Sequence, residues 1–281
     1  MFAGYSPCKT RLRSERSQVR ILPGALTNQL ESSASLVLLH GFAQDSSVWD
    51  PIAGQIHDQT ISAPDLRGHG KAHSMRPISS EDLATDLTDL LDDQRPSTVA
   101  GYSMGGRLAL EVAIRYPRMV SRLVLISTSA GLRSESERVA RQESDQSLSS
   151  LLRTEGLEAF SRYWTSLPLW IGDPKEVTSQ ANQLRLRQNP LGLAAALDGF
   201  GAGNWPHRWD ELSDLQVPVE LVVGARDSKY LEINQEMHRL LPQSRLTVVE
   251  GAGHSLLLES RQEIVKILGL DSAASNSGKN C

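Results

Sequence analysis

The chain has 281 residues, 40% of them hydrophobic and 22% charged, with a formal net charge of −4. These values suit one α/β domain with an insertion, or two small domains, and give no electrostatic basis for binding nucleic acid or a membrane surface. The apolar runs fall far short of the ~20 residues that span a bilayer, and the two cysteines, Cys8 and Cys281, sit in the tails, so no disulfide framework is implied and a reducing cytoplasm is the expected compartment.

Residues 1–34 carry Lys9, Arg11, Arg13, Arg16 and Arg20 against Glu15 and Glu31, with no sustained apolar periodicity. A disordered basic extension, or a translation start placed too far upstream, is the expectation, with an organellar transit peptide as the alternative. From residue 35 strand and helix signals alternate. "SLVLLHG" is a short apolar run ending in glycine, as a buried parallel strand should be. "TISAPDLRGHG" reads as a weaker strand and a Gly-rich turn. "SSEDLATDLTDLLDD" opens with Ser79 and Asp82 at capping-box-like spacing and puts Leu83, Leu87, Leu90 and Leu91 on one helical face.

"STVAGYS" is a strand, "MGGRLALEVAIRYP" a helix stopping at Pro117, and "SRLVLISTS" the next strand. Residues 131–210 then break the alternation. They have helical periodicity, no convincing strand, and four of the five tryptophans. "VPVELVVGA" and "SRLTVVEGAGH" restore the strand pattern, with a helix near 231–241 between them and a last one near 259–269. The fold class is therefore α/β, a mostly parallel sheet flanked by helices. Residues 35–130 and 211–270 form its core, 131–210 a helical cap, and 271–281 a disordered polar tail. An insertion after one strand of such a sheet lies above the carboxyl ends of the strands, where ligands bind.

The cap would cover a Gly-x-Ser-x-Gly in "AGYSMGG", centred on Ser103. Alone the pentapeptide is weak, and Ser103 could be a helix N-cap with no chemistry. Its place between a strand and a helix is the setting of a nucleophile elbow. Asp227 follows one later strand and His254 the next, giving the chain order Ser, Asp, His of α/β-hydrolases. The chemistry needs all three, because an imidazole must take the serine proton and a carboxylate must hold the imidazole tautomer. The bland alternatives are a turn aspartate and a solvated loop histidine.

"LLHGFAQ" is a His-Gly-x loop, so the N–H groups of Phe42 and Met104 are the expected oxyanion hole. His40, Asp65 and His69 are expected to shape loops, and His57, His73, His207 and His238 to lie at the surface.

Arg107 is harder to place. It lies four residues beyond Ser103 on the same helical face, where it either pairs with Glu111 at the surface or faces the buried site unpaired. In the second case a substrate anion supplies the partner. Arg133, Arg138, Arg141, Arg185 and Arg187 recur in the cap, so the pocket would take a small molecule with several carboxylates.

"HGFAQDSSVW", "GYSMGGRLAL", "LISTSAGLRSESERVARQESD", "EAFSRYWTSLPLW", "GLAAALDGFGAGNWPHRW", "VVGARDSKY" and "EGAGHSLLLE" together resemble the 2-succinyl-6-hydroxy-2,4-cyclohexadiene-1-carboxylate synthase family of menaquinone and phylloquinone biosynthesis. The likeness runs from residue 36 to about 268, cap included. It implies the α/β-hydrolase fold, no cofactor or metal, and a lyase that eliminates pyruvate from a tricarboxylate. It also implies Ser103, Asp227 and His254 as catalytic residues, Arg107, Arg141 and Arg185 as carboxylate binders, and Tyr102 and Trp164 as aromatic pocket residues. The choices of Arg185 over Arg187 and of Trp164 over Tyr163 stay open by a residue or two. "DLRGHGKAHS" departs from the family's proline-containing turn, and the basic leader has no counterpart. A monomer or small homo-oligomer is expected. The alternative activity is a serine hydrolase acting on a small acidic ester or C–C bond, and a hydrolase-like receptor without turnover is disfavoured by the intact Ser, Asp and His.

Overall fold

The computed structural model describes residues 35–276. The basic leader and residues 277–281 of the expected tail lie outside them. Six strands, β1 (Leu36–Leu39), β2 (Ile61–Ser62), β3 (Ser97–Tyr102), β4 (Val120–Ile126), β5 (Val219–Gly224) and β6 (Ser244–Val249), form one sheet in the order β2-β1-β3-β4-β5-β6. Every pairing is parallel.

Both faces of the central strands are buried, which is why they read as unbroken apolar runs. Alternate residues divide between two cores. Val37, Leu39, Leu123, Leu125 and Leu221 pack on one side, and Leu36, Leu38, Val124, Ile126 and Val222 on the other.

Around the sheet lie a short helix α1 (Asp50–Ala53), α2 (Ser80–Thr88), α3 (Met104–Arg115), and, after β4, α4 (Glu135–Thr154), α5 (Gly156–Thr165), α6 (Lys175–Leu186) and α7 (Pro190–Phe200). Helix α8 (Ser228–Leu240) joins β5 to β6, and α9 (Leu256–Glu259) and α10 (Arg261–Asn276) close the described chain. Ser79 caps α2 as its spacing predicts, accepting from the Asp82 N–H at 3.1 Å. Helix α10 runs past the expected end near 269 and into the stretch expected to be disordered. That segment contains no proline and includes Ala273 and Ala274, which favour continued helix.

Helices α4, α5 and α7 pack on each other through Leu148, Leu152, Phe160, Leu193 and Leu197, and meet the loop after β1 at Ala43 and Phe42. The two stems of this insertion are stapled together. The Arg208 N–H donates to Ala130 O at 2.7 Å, and Trp209 Nε1 to Gly131 O at 2.8 Å.

The strand order reverses between β1 and β3, since the chain adds β2 on one side of β1 and all later strands on the other. A crevice opens at such a switch point, beyond the carboxyl ends of the strands. The residues that follow β1 and β3 there are the His-Gly-Phe loop and Ser103.

Candidate active site

Ser103 has φ 51° and ψ −107° in the turn from β3 to α3. Few residues other than glycine adopt such a conformation, and it persists only where its surroundings enforce it. Here they do. A Cβ on Gly101 would meet the Gly105 carbonyl at 2.2 Å, and one on Gly105 would meet the Leu39 carbonyl at 2.4 Å. The two glycines let strand and helix close over each other, which pushes the serine side chain out at the tip.

His254 Nε2 lies 3.3 Å from Ser103 Oγ, and His254 Nδ1 lies 2.6 Å from Asp227 Oδ2. The Asp227 carboxylate makes no capping bond to α8, so it is not spent on its own turn. It accepts from Nδ1–H, which leaves Nε2 as the acceptor that faces the serine hydroxyl. Three aromatic rings enclose the imidazole: Tyr230 at 4.6 Å, Trp170 at 5.4 Å and Tyr102 at 5.5 Å between centroids.

Phe42 and Met104 both face the cavity above the serine. Among the described residues neither backbone N–H has a hydrogen-bond partner. His40 sets the loop before Phe42, since its Nε2 accepts from the Leu66 N–H at 3.0 Å and its Nδ1 bonds Gly41 O at 2.8 Å. Asp65 accepts from the Ser46 and Lys71 N–H groups. His69 packs edge-on against His40 and Phe42, and burial pulls its pKa down to about 3. All three shape the loops.

The cavity has a volume of about 260 Å³. Arg107, Arg141 and Arg185 all line it. Arg107 is buried, its Nε bonds nothing, and its guanidinium carbon sits 5.5 Å from the Trp205 ring centroid. Burial away from any paired carboxylate brings its pKa down to about 10. The surface pair with Glu111 does not form, because Glu111 is held by Arg208 and Arg115.

Arg141 bonds Asp145 through Nε at 2.7 Å and remains partly exposed. Arg185 is buried on α6, whereas Arg187 reaches outward to Ser47 Oγ at 3.0 Å, so Arg185 is the one that enters the cavity. Arg133 stacks on Trp209 and bonds Glu236, and Arg138 bonds Glu135, so both serve elsewhere. Tyr102 and Trp164 line the cavity. Tyr163 reaches it too but is 48% exposed, while Trp164 packs at tilted angles among Phe42, Phe160 and Trp170.

Sequence reasoning missed Tyr230 and Trp170. Tyr230 stands three residues after Asp227, one turn along α8, and that spacing was a usable signal. Trp170 comes from a short turn after α5 and carried none. Among the described residues no cluster of His, Cys, Asp or Glu could hold a metal ion, and no helix is long and apolar enough to cross a membrane.

A parallel sheet with a strained serine at the β3–α3 turn, followed by an aspartate after β5 and a histidine after β6, defines an α/β-hydrolase. The chain belongs to the alpha/beta hydrolase family, whose model matches residues 36–267. Within it the chain is similar to a Bacillus subtilis (strain 168) protein named "Putative 2-succinyl-6-hydroxy-2,4-cyclohexadiene-1-carboxylate synthase". The two are 36% identical over 247 residues, which is 84% of this chain and 89% of that protein. An Enterobacter sp. (strain 638) 2-succinyl-6-hydroxy-2,4-cyclohexadiene-1-carboxylate synthase is 28% identical, covering 83% of this chain and 89% of its own. The solved structure of MenH from S. aureus superposes with a TM-score of 0.79 at 33% identity, over 85% of this chain and 93% of that one.

Proposed function

We propose that this protein is a 2-succinyl-6-hydroxy-2,4-cyclohexadiene-1-carboxylate synthase, a lyase that releases pyruvate from 2-succinyl-5-enolpyruvyl-6-hydroxy-3-cyclohexene-1-carboxylate in menaquinone or phylloquinone biosynthesis. The observation that carries this reading is the unpaired Arg107 guanidinium beside the Ser103–His254 contact. A buried cation without a carboxylate is unfavourable unless a ligand supplies one. The named relatives, which match along most of both chains, support the same reading.

In this mechanism His254 takes the Ser103 proton, and the serine oxygen removes an acidic proton from the substrate ring. The C–H electrons form a new ring double bond, the ring double bond already present shifts by one position, and the C–O bond to the enolpyruvyl group breaks. The departing enolate picks up a proton and ketonises to pyruvate. The Phe42 and Met104 N–H groups stabilise the negative charge as it develops. Arg107, Arg141 and Arg185 hold the carboxylates, with Tyr102 and Trp164 as walls, so that the ring proton meets the serine oxygen. Water takes no part and no acyl-enzyme forms.

A cytoplasmic location and action as a monomer or small homo-oligomer, without a cofactor, go with this reading. The test is to incubate purified protein with the enolpyruvyl precursor and follow pyruvate. Rapid release supports the lyase. Absence of pyruvate together with fast turnover of nitrophenyl esters would instead make the protein a serine hydrolase of small acidic substrates.

A further inference from the structure

Arg185 is held by neutral groups alone. Its Nη1 faces Asn182 Oδ1 at 2.5 Å, Ser161 Oγ at 3.0 Å and Thr165 Oγ1 at 3.1 Å. Ser161 and Thr165 stand one turn apart on α5, and Asn182 precedes Arg185 by three residues on α6. The knot is closed on itself, since the Ser161 hydroxyl donates to Asn182 Oδ1 at 3.2 Å and Thr165 Oγ1 lies 3.0 Å from the same atom. Among the described residues no carboxylate bonds Arg185, and burial pulls its pKa down to about 10.

Elsewhere this chain anchors arginines with carboxylates. Arg67 takes Asp86, Arg208 takes Glu111 and Arg153 takes Asp198. A carboxylate fixes a guanidinium but offsets part of its charge and competes with a ligand for its N–H groups. An amide carbonyl and two hydroxyls fix it and leave the charge intact for a ligand. Arg185 is 5% exposed and lines the cavity, while Asn182, Ser161 and Thr165 line a separate groove and not the cavity. The knot therefore grips the guanidinium from behind.

We propose that Asn182 is a positioning residue that aims Arg185 into the cavity, and that its neutrality keeps this cation available to a substrate carboxylate. The identity of that carboxylate rests on the lyase reading; the electrostatic arrangement does not.

The test compares Asn182→Asp and Asn182→Ala with the wild-type protein, reading ligand-free Tm, KM and kcat on the enolpyruvyl precursor. The aspartate would pair with Arg185 internally. Asn182→Asp is expected to raise Tm by a few degrees, to raise KM roughly 10- to 150-fold through loss of a charge-assisted contact, and to leave kcat within about threefold. Asn182→Ala keeps the charge but loosens it, so Tm should fall and KM should rise less than in Asn182→Asp. A KM for Asn182→Asp within about threefold of wild type overturns the proposal, and so does a lowered Tm for that variant. Equal KM and Tm changes in the two variants overturn it as well, because lost packing would then be the cause. If the wild-type protein releases no pyruvate, the lyase reading has failed, and the ligand-free Tm comparison still decides the role of Asn182.

Discussion

Arg208 closes on Glu111 through two bonds, Nε to Oε2 at 2.6 Å and Nη2 to Oε1 at 2.7 Å. Glu111 is fully buried and also takes Arg115. It is the carboxylate that lies at helical spacing from Arg107, so this clamp is what leaves Arg107 unpaired. The same clamp ties the far stem of the cap to the helix that follows Ser103.

Replacing Arg208 with methionine should therefore destabilise the protein by about 2–3 kcal/mol, below the full loss for a buried pair because Arg115 still reaches Glu111. Urea unfolding at neutral pH measures it. A loss under about 0.5 kcal/mol, the range of ordinary surface changes, would show that the clamp adds nothing to stability.

Arg107→Ala should lower kcat/KM on the enolpyruvyl precursor roughly 10- to 150-fold, the equivalent of one charge-assisted contact. Its Tm should stay level or rise, because the substitution removes an unpaired buried charge. Undiminished kcat/KM would take Arg107 out of the substrate site.

Ser103→Ala should abolish pyruvate release while the protein keeps its fold and its Tm. The serine side chain bonds only His254 among the described residues, so nothing in the core depends on it. Steady-state pyruvate assays and thermal unfolding of the same sample check both halves. Residual turnover near the wild-type rate would rule out the serine as base.

Stability should fall as pH drops below 6.5. His40 and His69 are buried and neutral, and desolvation lowers both pKa values, that of His69 to about 3. The unfolded chain binds these protons first, so the stabilising contribution is full above 6.5 and is lost as pH falls towards the folded values. For His69 the slope inside that window is about 1.4 kcal/mol per pH unit, and His40 adds to it in the same direction. Urea titrations at pH 7, 6 and 5 read the slope, and His69→Asn should reduce it. An unchanged slope in that variant would mean that His69 is protonated in the folded protein.

The strands, the elbow and the order of Ser103, Asp227 and His254 were legible in the sequence because each is written locally. A buried parallel strand must be apolar throughout, and a turn as tight as that at Ser103 admits only glycine at 101 and 105. The Phe42 loop was legible for the same reason, being adjacent to a strand end, whereas Tyr102 was named only through the family resemblance.

Which arginine does what was not legible. Arg185 lies in the last turn of α6 and Arg187 caps its C-terminus, and only the packing of α6 sends one to the cavity and the other to Ser47. Arg107 could have paired with Glu111 by spacing alone, and it is Arg208, a residue 97 positions away from Glu111, that prevents it. Trp170 came to His254 from a separate turn for the same reason, whereas Tyr230 sits one helical turn beyond Asp227. Sequence determined where the backbone must be apolar, tight or capped, since those demands act within a few residues. The partner of each charge was decided by tertiary structure, because electrostatic pairing depends on distance in space and on burial, which contacts remote along the chain create.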